Sequence, residues 1–392
     1  MRPAVLARLA AAAVVTVAAL TMAAATPASA SVPPQSDLGG VWCASASNCI
    51  AVGGSGETST DSSHARPLAE RWNGRAWRTV AVRLPAGASI GDLFRLACLS
   101  ANWCVATGFY AKSGVYHLLA EFWNGKAWTP TEPPAPGGAG AVDNHLTGVS
   151  CLSVRSCVAV GSYDTGTGTH AVIEKWNGAK WTRLTAPLGA GLGDLTEVSC
   201  PSAKFCVAVG TTGGVLVESW NGTAWRRVSA PSPTPPGGIA VLIGVSCASP
   251  SSCVAVGEAD GPGNGFAITE TWNGKAWTRA RVPWPKSATE TQLIDVSCAS
   301  RTDCVAVGNI GQNPTSPLNA GKAAAVRWNG KAWAVQPTPA PPKGKADMFF
   351  GVFCRSAANC AAVGLTGPVG ADSGRSLSGF WSGKAWKLVP AI

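Results

Sequence analysis

Short apolar runs alternate with polar turns along most of the chain, and the same order of runs recurs seven times. In one repeat, apolar runs cover Leu293–Cys298, Cys304–Gly308 and Ala323–Trp328, and a fourth follows at Lys331–Val335. Runs of this length bounded by Gly, Pro, Asn or Asp predict β-strands. We label the four predicted strands of each repeat A, B, C and D in chain order.

Each repeat carries one fixed phrase of cysteine and tryptophan. Two cysteines, with five residues between them, flank the turn from strand A to strand B, and the sequence Trp-Asn-Gly-x-x-Trp, with Ser for Asn in the last repeat, joins strand C to strand D. All 14 cysteines and 14 of the 17 tryptophans belong to this phrase. The turns open at Trp72, Trp123, Trp176, Trp220, Trp272, Trp328 and Trp381.

The interval between successive first cysteines is 47 to 56 residues. Seven repeats of this size, each with four short strands, predict an all-β, seven-bladed β-propeller with four antiparallel strands per blade. We expect residues 31–392 to form this single domain. The predicted blades span about 39–85, 92–133, 145–187, 194–231, 241–283, 293–337 and 348–390.

The first thirty residues have the pattern of an export signal. A start containing Arg2 and Arg8 precedes an apolar run, Leu9–Ala25, and the small residues Ala28-Ser29-Ala30 follow. This order predicts a signal peptide, residues 1–30, cut before Ser31, and hence a secreted, extracellular protein. A membrane anchor is the alternative. No second long apolar run follows, so we expect no membrane span after cleavage.

Cysteines in an exported chain indicate disulfides. The spacing recurs identically, so pairing within each repeat is the simplest solution. Zinc is the alternative, but two thiolates without a repeated His do not supply four ligands, and we expect neither metal nor cofactor. The predicted pairs are Cys43–Cys49, Cys98–Cys104, Cys151–Cys157, Cys200–Cys206, Cys247–Cys253, Cys298–Cys304 and Cys354–Cys360.

The Asn-Gly of the C–D turn predicts a two-residue type I′ hairpin. That register places Trp72 opposite Arg75 and Glu70 opposite Trp77. A glutamate recurs two residues before the first Trp in five repeats, and a basic residue recurs after the Gly in five, so we expect a diagonal Glu–basic contact to stabilise the hairpin. The basic residues are Arg75, Lys126, Lys275, Lys331 and Lys384, a ring that could also contact anionic polymers.

The run Val-Ser-Cys, Cys-Val-Ala-Val-Gly and Trp-Asn-Gly-Lys-Ala-Trp resembles repeats of secreted bacterial propellers of uncharacterised function. The layout is similar to Asp-box (sialidase-type) repeats, whose Gly-x-x-Trp turn matches Gly74–Trp77. The Asp and Ser of the Asp box are replaced by Trp72 and Asn73. The repeat is also loosely similar to kelch repeats, although the kelch double Gly is missing. These resemblances imply fold, and function is not inherited from fold.

Loop variation indicates where binding is expected. The A–B and C–D turns form one end of a propeller, and they are nearly identical in every repeat; we call this end the uniform face. The B–C and D–A loops form the opposite end, the variable face, and differ widely between Thr211–Gly214 and Asn309–Gly321. Divergent loops on a rigid scaffold favour a binding surface.

Four residues are candidate binding residues, and no residue is a catalytic candidate. The position three residues before the first Cys is Gly in four repeats and Arg95, Glu197 or Asp295 in the other three. Because strand A is the innermost strand of a blade, we expect these charged side chains to face the central channel. Solvation by channel water is the alternative. His145 also departs from the repeat, and like the other three histidines it is expected on a variable loop.

Two of the 31 Lys and Arg residues lie in residues 1–30, which leaves 29 against 21 Asp and Glu, a net charge of +8. This mild charge in an exported chain argues against nucleic acid as a partner. We therefore expect a monomeric, non-catalytic binding protein for carbohydrate, cell-wall polymer or extracellular protein. The alternative is a glycan-active hydrolase or lyase at the channel mouth, because two carboxylates are what such chemistry needs.

Overall fold

The computed structural model describes residues 35–56, 64–136, 141, 143–188, 191–233, 238–260, 265–288, 290–311, 321–371 and 374–391. The expected signal peptide and parts of several variable loops lie outside these residues. The described chain forms seven four-stranded sheets, each built from strands consecutive in sequence. All strand pairs are antiparallel, as in blade 3. The predicted seven-bladed propeller is confirmed.

The first four blades contain sixteen strands. They are β1 (Ser36–Ser45), β2 (Asn48–Ser55), β3 (Arg66–Trp72), β4 (Trp77–Thr79), β5 (Ile90–Ser100), β6 (Trp103–Lys112), β7 (Val115–Trp123), β8 (Trp128–Thr131), β9 (Asp143–Ser153), β10 (Ser156–Asp164), β11 (Thr169–Trp176), β12 (Trp181–Leu184), β13 (Asp194–Ser202), β14 (Phe205–Thr211), β15 (Val215–Trp220) and β16 (Trp225–Arg227).

The last three blades contain the other twelve strands. They are β17 (Ile239–Ser249), β18 (Ser252–Asp260), β19 (Gly265–Trp272), β20 (Trp277–Arg279), β21 (Glu290–Ser300), β22 (Asp303–Gly311), β23 (Lys322–Trp328), β24 (Trp333–Gln336), β25 (Lys345–Ser356), β26 (Asn359–Pro368), β27 (Arg375–Trp381) and β28 (Trp386–Pro390). The A strands of neighbouring blades contact one another around a closed ring that includes β25 with β1. No helix among the described residues is long and apolar enough to cross a membrane.

Each blade contains one disulfide between strands A and B, and in six blades the two cysteines are directly opposed in the strand register. In blade 1, Cys43 pairs with Cys49 in the strand register and through the sulfur–sulfur bond. All seven predicted pairs form, and no free cysteine remains. Disulfides are stable in oxidising compartments, so these bonds indicate an oxidising environment outside the cytoplasm.

The predicted register of the C–D hairpin is wrong. Trp72 lies opposite Trp77, and Glu70 lies opposite Thr79, because the turn has four residues and not two. The side-chain oxygen of Asn73 accepts hydrogen bonds from the backbone N–H groups of Arg75 and Ala76, both at 2.9 Å. These two side-chain hydrogen bonds stabilise the four-residue turn in preference to a two-residue turn, which explains why the asparagine recurs. A two-residue turn with positive φ at both positions occurs instead at Ser113–Gly114.

The first Trp of each turn ties its hairpin to the disulfide turn of the same blade. The indole N–H of Trp72 donates to the Ala46 carbonyl oxygen at 3.1 Å, between Cys43 and Cys49. The same bond recurs in five other blades, which explains why the Cys pair and the Trp turn repeat together. The donors are Trp123, Trp176, Trp220, Trp272 and Trp381.

The second Trp of each turn packs against the preceding blade. The indole N–H of Trp77 donates to Ser378 Oγ of blade 7 at 2.9 Å, and Trp386 donates to Gln336 of blade 6 at 3.1 Å. Apolar side chains of two neighbouring blades accordingly share each main core cluster, as where Val209 of blade 4 packs with Ile268 and Trp277 of blade 5. The core therefore lies between the sheets.

Serine of the Val-Ser-Cys run joins neighbouring A strands near the uniform face. Ser150 Oγ accepts the backbone N–H of Cys200 in the next blade at 3.0 Å. Equivalent bonds connect blades 4 to 5, 5 to 6 and 6 to 7. In blades 1, 2 and 7 the serine position holds Trp42, Ala97 and Phe353, and the rings of Trp42 and Phe353 pack 5.8 Å apart.

The ring closes without exchange of a strand between blades 1 and 7. Blade 7 contains only the C-terminal strands β25 to β28. The Ser36 N–H donates to the Gly374 carbonyl oxygen at 3.1 Å, and the Ser376 N–H donates to Ser36 Oγ at 3.1 Å. Phe380 of blade 7 packs 4.9 Å from Trp72 of blade 1 between ring centroids. Closure therefore rests on packing and a few hydrogen bonds.

The recurrent glutamates of strand C are fully buried in blades 1 to 5, whereas the basic turn residues are exposed. Their opposed residues on strand B are alanines, such as Ala106 beside Glu121, and the small side chain leaves room for the carboxyl group. Glu174 forms an ion pair with Arg183 of strand D at 2.9 Å. The glutamates therefore lie inside the blades and not on the exposed surface of the turn.

Burial raises the pKa of Glu121 to about 8. It also raises the pKa of Glu270 to about 8 and that of Glu218 to about 7, with Arg279 and Arg227 opposing the shifts. Since these folded-state values exceed the ordinary value of 4.5, the glutamates stabilise the fold most below that pH. Their contribution is lost as the pH rises through about 7 to 8.

We expect Glu121→Gln to raise the thermal midpoint by a few degrees at about pH 9 and to leave it nearly unchanged at about pH 5, because glutamine stays neutral in the same space. Thermal unfolding followed by circular dichroism at both pH values checks this. Equal shifts at the two pH values would contradict the pKa assignment.

A second prediction concerns the bond across the closing junction. Trp77→Phe should cost about 1 kcal/mol more unfolding free energy than Trp225→Phe, because only Trp77 loses a hydrogen bond. Trp225 is equally buried, but its indole N–H has no partner within the described residues. Denaturant unfolding of both variants measures the difference. Equal losses would show that the Trp77–Ser378 bond adds nothing to closure.

Candidate functional site

A β-bulge in strand A sets the position of the channel residues in each blade. The register with strand B shifts between Leu93 and Arg95 in blade 2, and at the equivalent place in the other six blades. The bulge inserts one extra residue and re-aims the side chain that follows it. The residue after each bulge is the Gly or charged residue singled out in the sequence.

The structure brings Arg95 and Glu197 into direct contact although they belong to blades 2 and 4. Arg95 Nε lies 3.0 Å from Glu197 Oε2, and Arg95 Nη1 donates to the Gly39 carbonyl oxygen of blade 1 at 2.6 Å. The other carboxyl oxygen of Glu197 accepts the Val198 N–H at 3.0 Å. The ion pair thus links three blades across the channel.

Asp295 lies close enough to this pair to interact with it electrostatically, although its hydrogen bonds are to backbone. Its two carboxyl oxygens accept N–H groups of Val296 in its own blade and Val352 in blade 7, both at 2.8 Å. Strand A has an unpaired edge toward the channel, so its N–H groups need acceptors there. The carboxylate of Asp295 supplies two of them.

The glycines that alternate with these charges are needed for close approach. A Cβ atom at Gly148 would lie 2.6 Å from Glu197 Oε1, and one at Gly244 would lie 2.8 Å from the Asp295 Cα. Any larger residue would push the neighbouring charged residue out of place. The alternation of Gly and charge therefore follows from packing around a narrow channel.

Burial controls the titration of both channel carboxyls. It raises the pKa of Glu197 to about 8; Arg95 opposes this shift, and Asp295 adds to it. Burial also raises the pKa of Asp295, against the effects of Arg95 and the two backbone N–H groups. A raised carboxyl pKa is what a general acid needs, so the pKa alone is compatible with catalysis.

A substrate would have little access to the carboxyl groups of Glu197 and Asp295, which argues against catalysis there. The side chains of Arg95 and Glu197 are only 11% and 9% exposed. On the side toward the variable face, the bulge residues Ile243, Ile294 and Phe350 are buried and pack together with Met348. An apolar layer therefore separates the charged cluster from the variable face, and its hydrogen-bonding capacity is used within the protein.

His145 is not on a loop surface as expected. It lies on β9, is 4% exposed and faces Asp143, Ser162 and Asp194. Its Nδ1 lies 3.4 Å from Asp143 Oδ1, and its Nε2 lies 3.1 Å from Ser162 Oγ. None of its described contacts reaches Arg95, Glu197 or Asp295. His117 and His170 likewise lie on strands, β7 and β11, where they stack on tyrosines.

The order Asp143–His145–Ser162 matches the hydrogen-bond order of a hydrolytic triad, which assembles in space and not in sequence. Burial outweighs this similarity, because Ser162 has no exposed surface. Burial raises the pKa of Asp194, and His145 and Ser162 oppose the shift. The pKa of Asp143 is lowered, because its contact with His145 outweighs the effect of burial. The cluster is a buried network between blades 3 and 4.

Sequence reasoning missed Asp143, Ser162 and Asp194 as partners of His145. Asp194 stands six residues before the first Cys of blade 4, the position that His145 holds in blade 3, a signal that equivalent positions of neighbouring blades meet. Nothing in the sequence marks Ser162 as a partner. Within the described ranges, no group of three or more His, Cys, Asp or Glu side chains is arranged to hold a metal ion.

No protein-family model and no curated protein matches this sequence. Solved propellers are similar in fold. They include YCF48 bound to D1 peptide (13% identity, 86% of this chain and 95% of that chain, TM-score 0.50), the RRP9 WD40 repeats (12%, 91% and 95%, 0.53) and an ulvan lyase of a polysaccharide lyase family (9%, 91% and 96%, 0.55). At these identities the similarity shows the propeller fold alone.

The ion pair between Arg95 and Glu197 is expected to stabilise the folded protein. Arg95→Met should cost roughly 3–5 kcal/mol of unfolding free energy, because Glu197 loses its buried partner. The double variant Arg95→Met/Glu197→Gln should recover part of this loss. Denaturant unfolding of the two single variants and the double variant tests the coupling. Additive losses would contradict a structural ion pair.

Proposed function

We propose that this protein is a secreted, non-catalytic binding protein that recognises carbohydrate or cell-envelope polymer through its variable face. The observation that carries the proposal is the internal use of the channel carboxylates. Glu197 is held by Arg95 and Val198, and Asp295 is held by Val296 and Val352. A glycosidase needs two carboxyls that reach the substrate, and these two are enclosed.

The contrast between the two ends of the propeller supports a binding role. On the uniform face, the indole bonds to the A–B turns and the Asn-capped C–D turns repeat with little change from blade to blade. On the variable face, the loops between strands B and C range from two residues, Ser113–Gly114, to ten residues, 312–321. Rigid scaffolds commonly carry binding residues on such divergent loops.

The glycan-active hydrolase or lyase remains the second candidate, because the raised pKa of Glu197 suits a general acid. A lyase appears among the solved propellers of similar fold, and a peptide-bound propeller appears as well. Neither likeness bears on chemistry at these identities. Extracellular protein is the alternative partner of the binding role.

The proposal is tested by screening the mature protein on a glycan array and assaying each bound glycan for cleavage. Replacing residues 312–321 with the two-residue turn Ser-Gly should reduce binding, because it removes a ten-residue loop of the variable face. The matched control Lys331→Gln changes the uniform face and should leave binding unchanged. Detectable cleavage that is abolished by Glu197→Gln or Asp295→Asn would contradict the proposal that the protein is non-catalytic.

A further inference from the structure

Blade 5 contains a cavity that the channel cluster and the buried histidine network do not explain. Its volume is about 500 Å³, within the range of small-molecule sites. The start of β19, the end of β20 and the link after β20 line it, and the lining side chains include Phe266, Arg279, Arg281 and Trp284. Both the loop before β19 and the link after β20 belong to the variable face.

Three of these side chains are departures from the repeat, and they meet in one place. The strand register makes Phe266 equivalent to Arg66, His117, His170, Gly214, Lys322 and Arg375 in the other blades. Arg281 stands four residues after the second Trp, where the other blades have Ala81, Glu132, Thr185, Ser229, Pro337 and Pro390. Trp284 stands where blades 1 and 3 have Leu84 and Leu188.

The exposure of these groups is unfavourable unless a ligand covers them. Phe266 is 36% exposed at a position that is polar or Gly in the other blades. Trp284 is half-buried, yet its indole N–H is shielded from solvent and has no acceptor among the described residues. A buried donor without a partner costs free energy, so this position is not optimised for stability alone.

The cavity is also positively charged. Arg279 and Arg281 are exposed, and neither forms an ion pair within the described residues. In blade 3 the equivalent of Arg279 is Arg183, which folds onto its buried glutamate at 2.9 Å. Arg279 acts on Glu270 only at longer range, so its guanidinium donors remain directed to solvent.

We propose that this cavity binds an acidic sugar unit, carboxylated or sulfated, of a polysaccharide; the inference rests on the proposed function and names its ligand. Guanidinium groups pair with carboxylate and sulfate through two parallel N–H bonds. The aromatic side chains of Phe266 and Trp284 suit the C–H face of a sugar ring.

An acidic peptide fits less well. An extended peptide gains its affinity from hydrogen bonds to the edge of a sheet. The outer edge beside the cavity is β20, which has only three residues. Little free edge is left for a peptide.

The test is titration calorimetry of the mature protein with polygalacturonate, dextran sulfate and neutral dextran. Wild type should bind at least one of the two acidic polymers and not dextran. Arg281→Gln and Phe266→Ala should each weaken binding about 10-fold, equivalent to about 1.4 kcal/mol. The matched control Arg226→Gln removes an exposed arginine of blade 4 and should stay within about twofold of wild type.

Thermal unfolding should show that each variant is folded, because the substituted side chains are exposed. Acidic-polymer binding that survives Arg281→Gln but falls when residues 312–321 are shortened would overturn this site and leave the proposed function standing. Binding of only neutral glycans, or of an acidic peptide in place of the polymers, would overturn the ligand class. Absence of binding to any glycan would overturn the proposed function as well.

Discussion

The architecture depends on a hydrogen bond that six of the seven blades share, from the first Trp of the C–D turn to the disulfide-closed A–B turn of the same blade. The disulfide fixes the carbonyl that accepts this bond, as Cys43 and Cys49 do for Ala46. Strands A and B are thereby connected to the end of strand C through Trp72 as well as through the backbone ladder. Each blade becomes a locally closed unit, which suits a chain whose blades are formed from consecutive strands.

The contacts between blades are of a different kind and vary around the ring. The second Trp packs on the preceding blade, serine joins A strands in four of the seven junctions, and the Arg95–Glu197 pair crosses the channel. Trp42 and Phe353 replace serine where blades 1 and 7 meet. The junction that closes the ring therefore combines aromatic packing with the hydrogen bonds of Ser36 to Ser376 and of Trp77 to Ser378.

The blade count, the strand order and every disulfide could be predicted, because the repeat shows the same spacing seven times. The C–D register could not, since Asn73 Oδ1 stabilises a four-residue turn that the Asn-Gly sequence alone does not distinguish from a two-residue turn. The convergence of Arg95, Glu197 and Asp295 was predictable from their equivalent positions. Their enclosure was not, because the covering side chains Ile243, Ile294 and Phe350 come from three different blades.

Residues that depart from the repeat are of two kinds, those buried in polar networks and those that line the cavity of blade 5. His145 and the channel charges are absorbed into buried networks, where their polar atoms find partners inside the protein. Phe266, Arg281 and Trp284 instead surround open space. Departure from the repeat therefore marks candidate binding residues only when the structure leaves their interacting groups unsatisfied.

The most direct test of the central claim is disulfide mapping by mass spectrometry of the unreduced, protease-digested protein. Our account predicts seven bonds, each between the two cysteines of one Cys-x5-Cys pair, and no free thiol. A bond between cysteines of different repeats, or two or more free thiols, would contradict it, because the A–B turns would then no longer hold the acceptors of the tryptophan bonds.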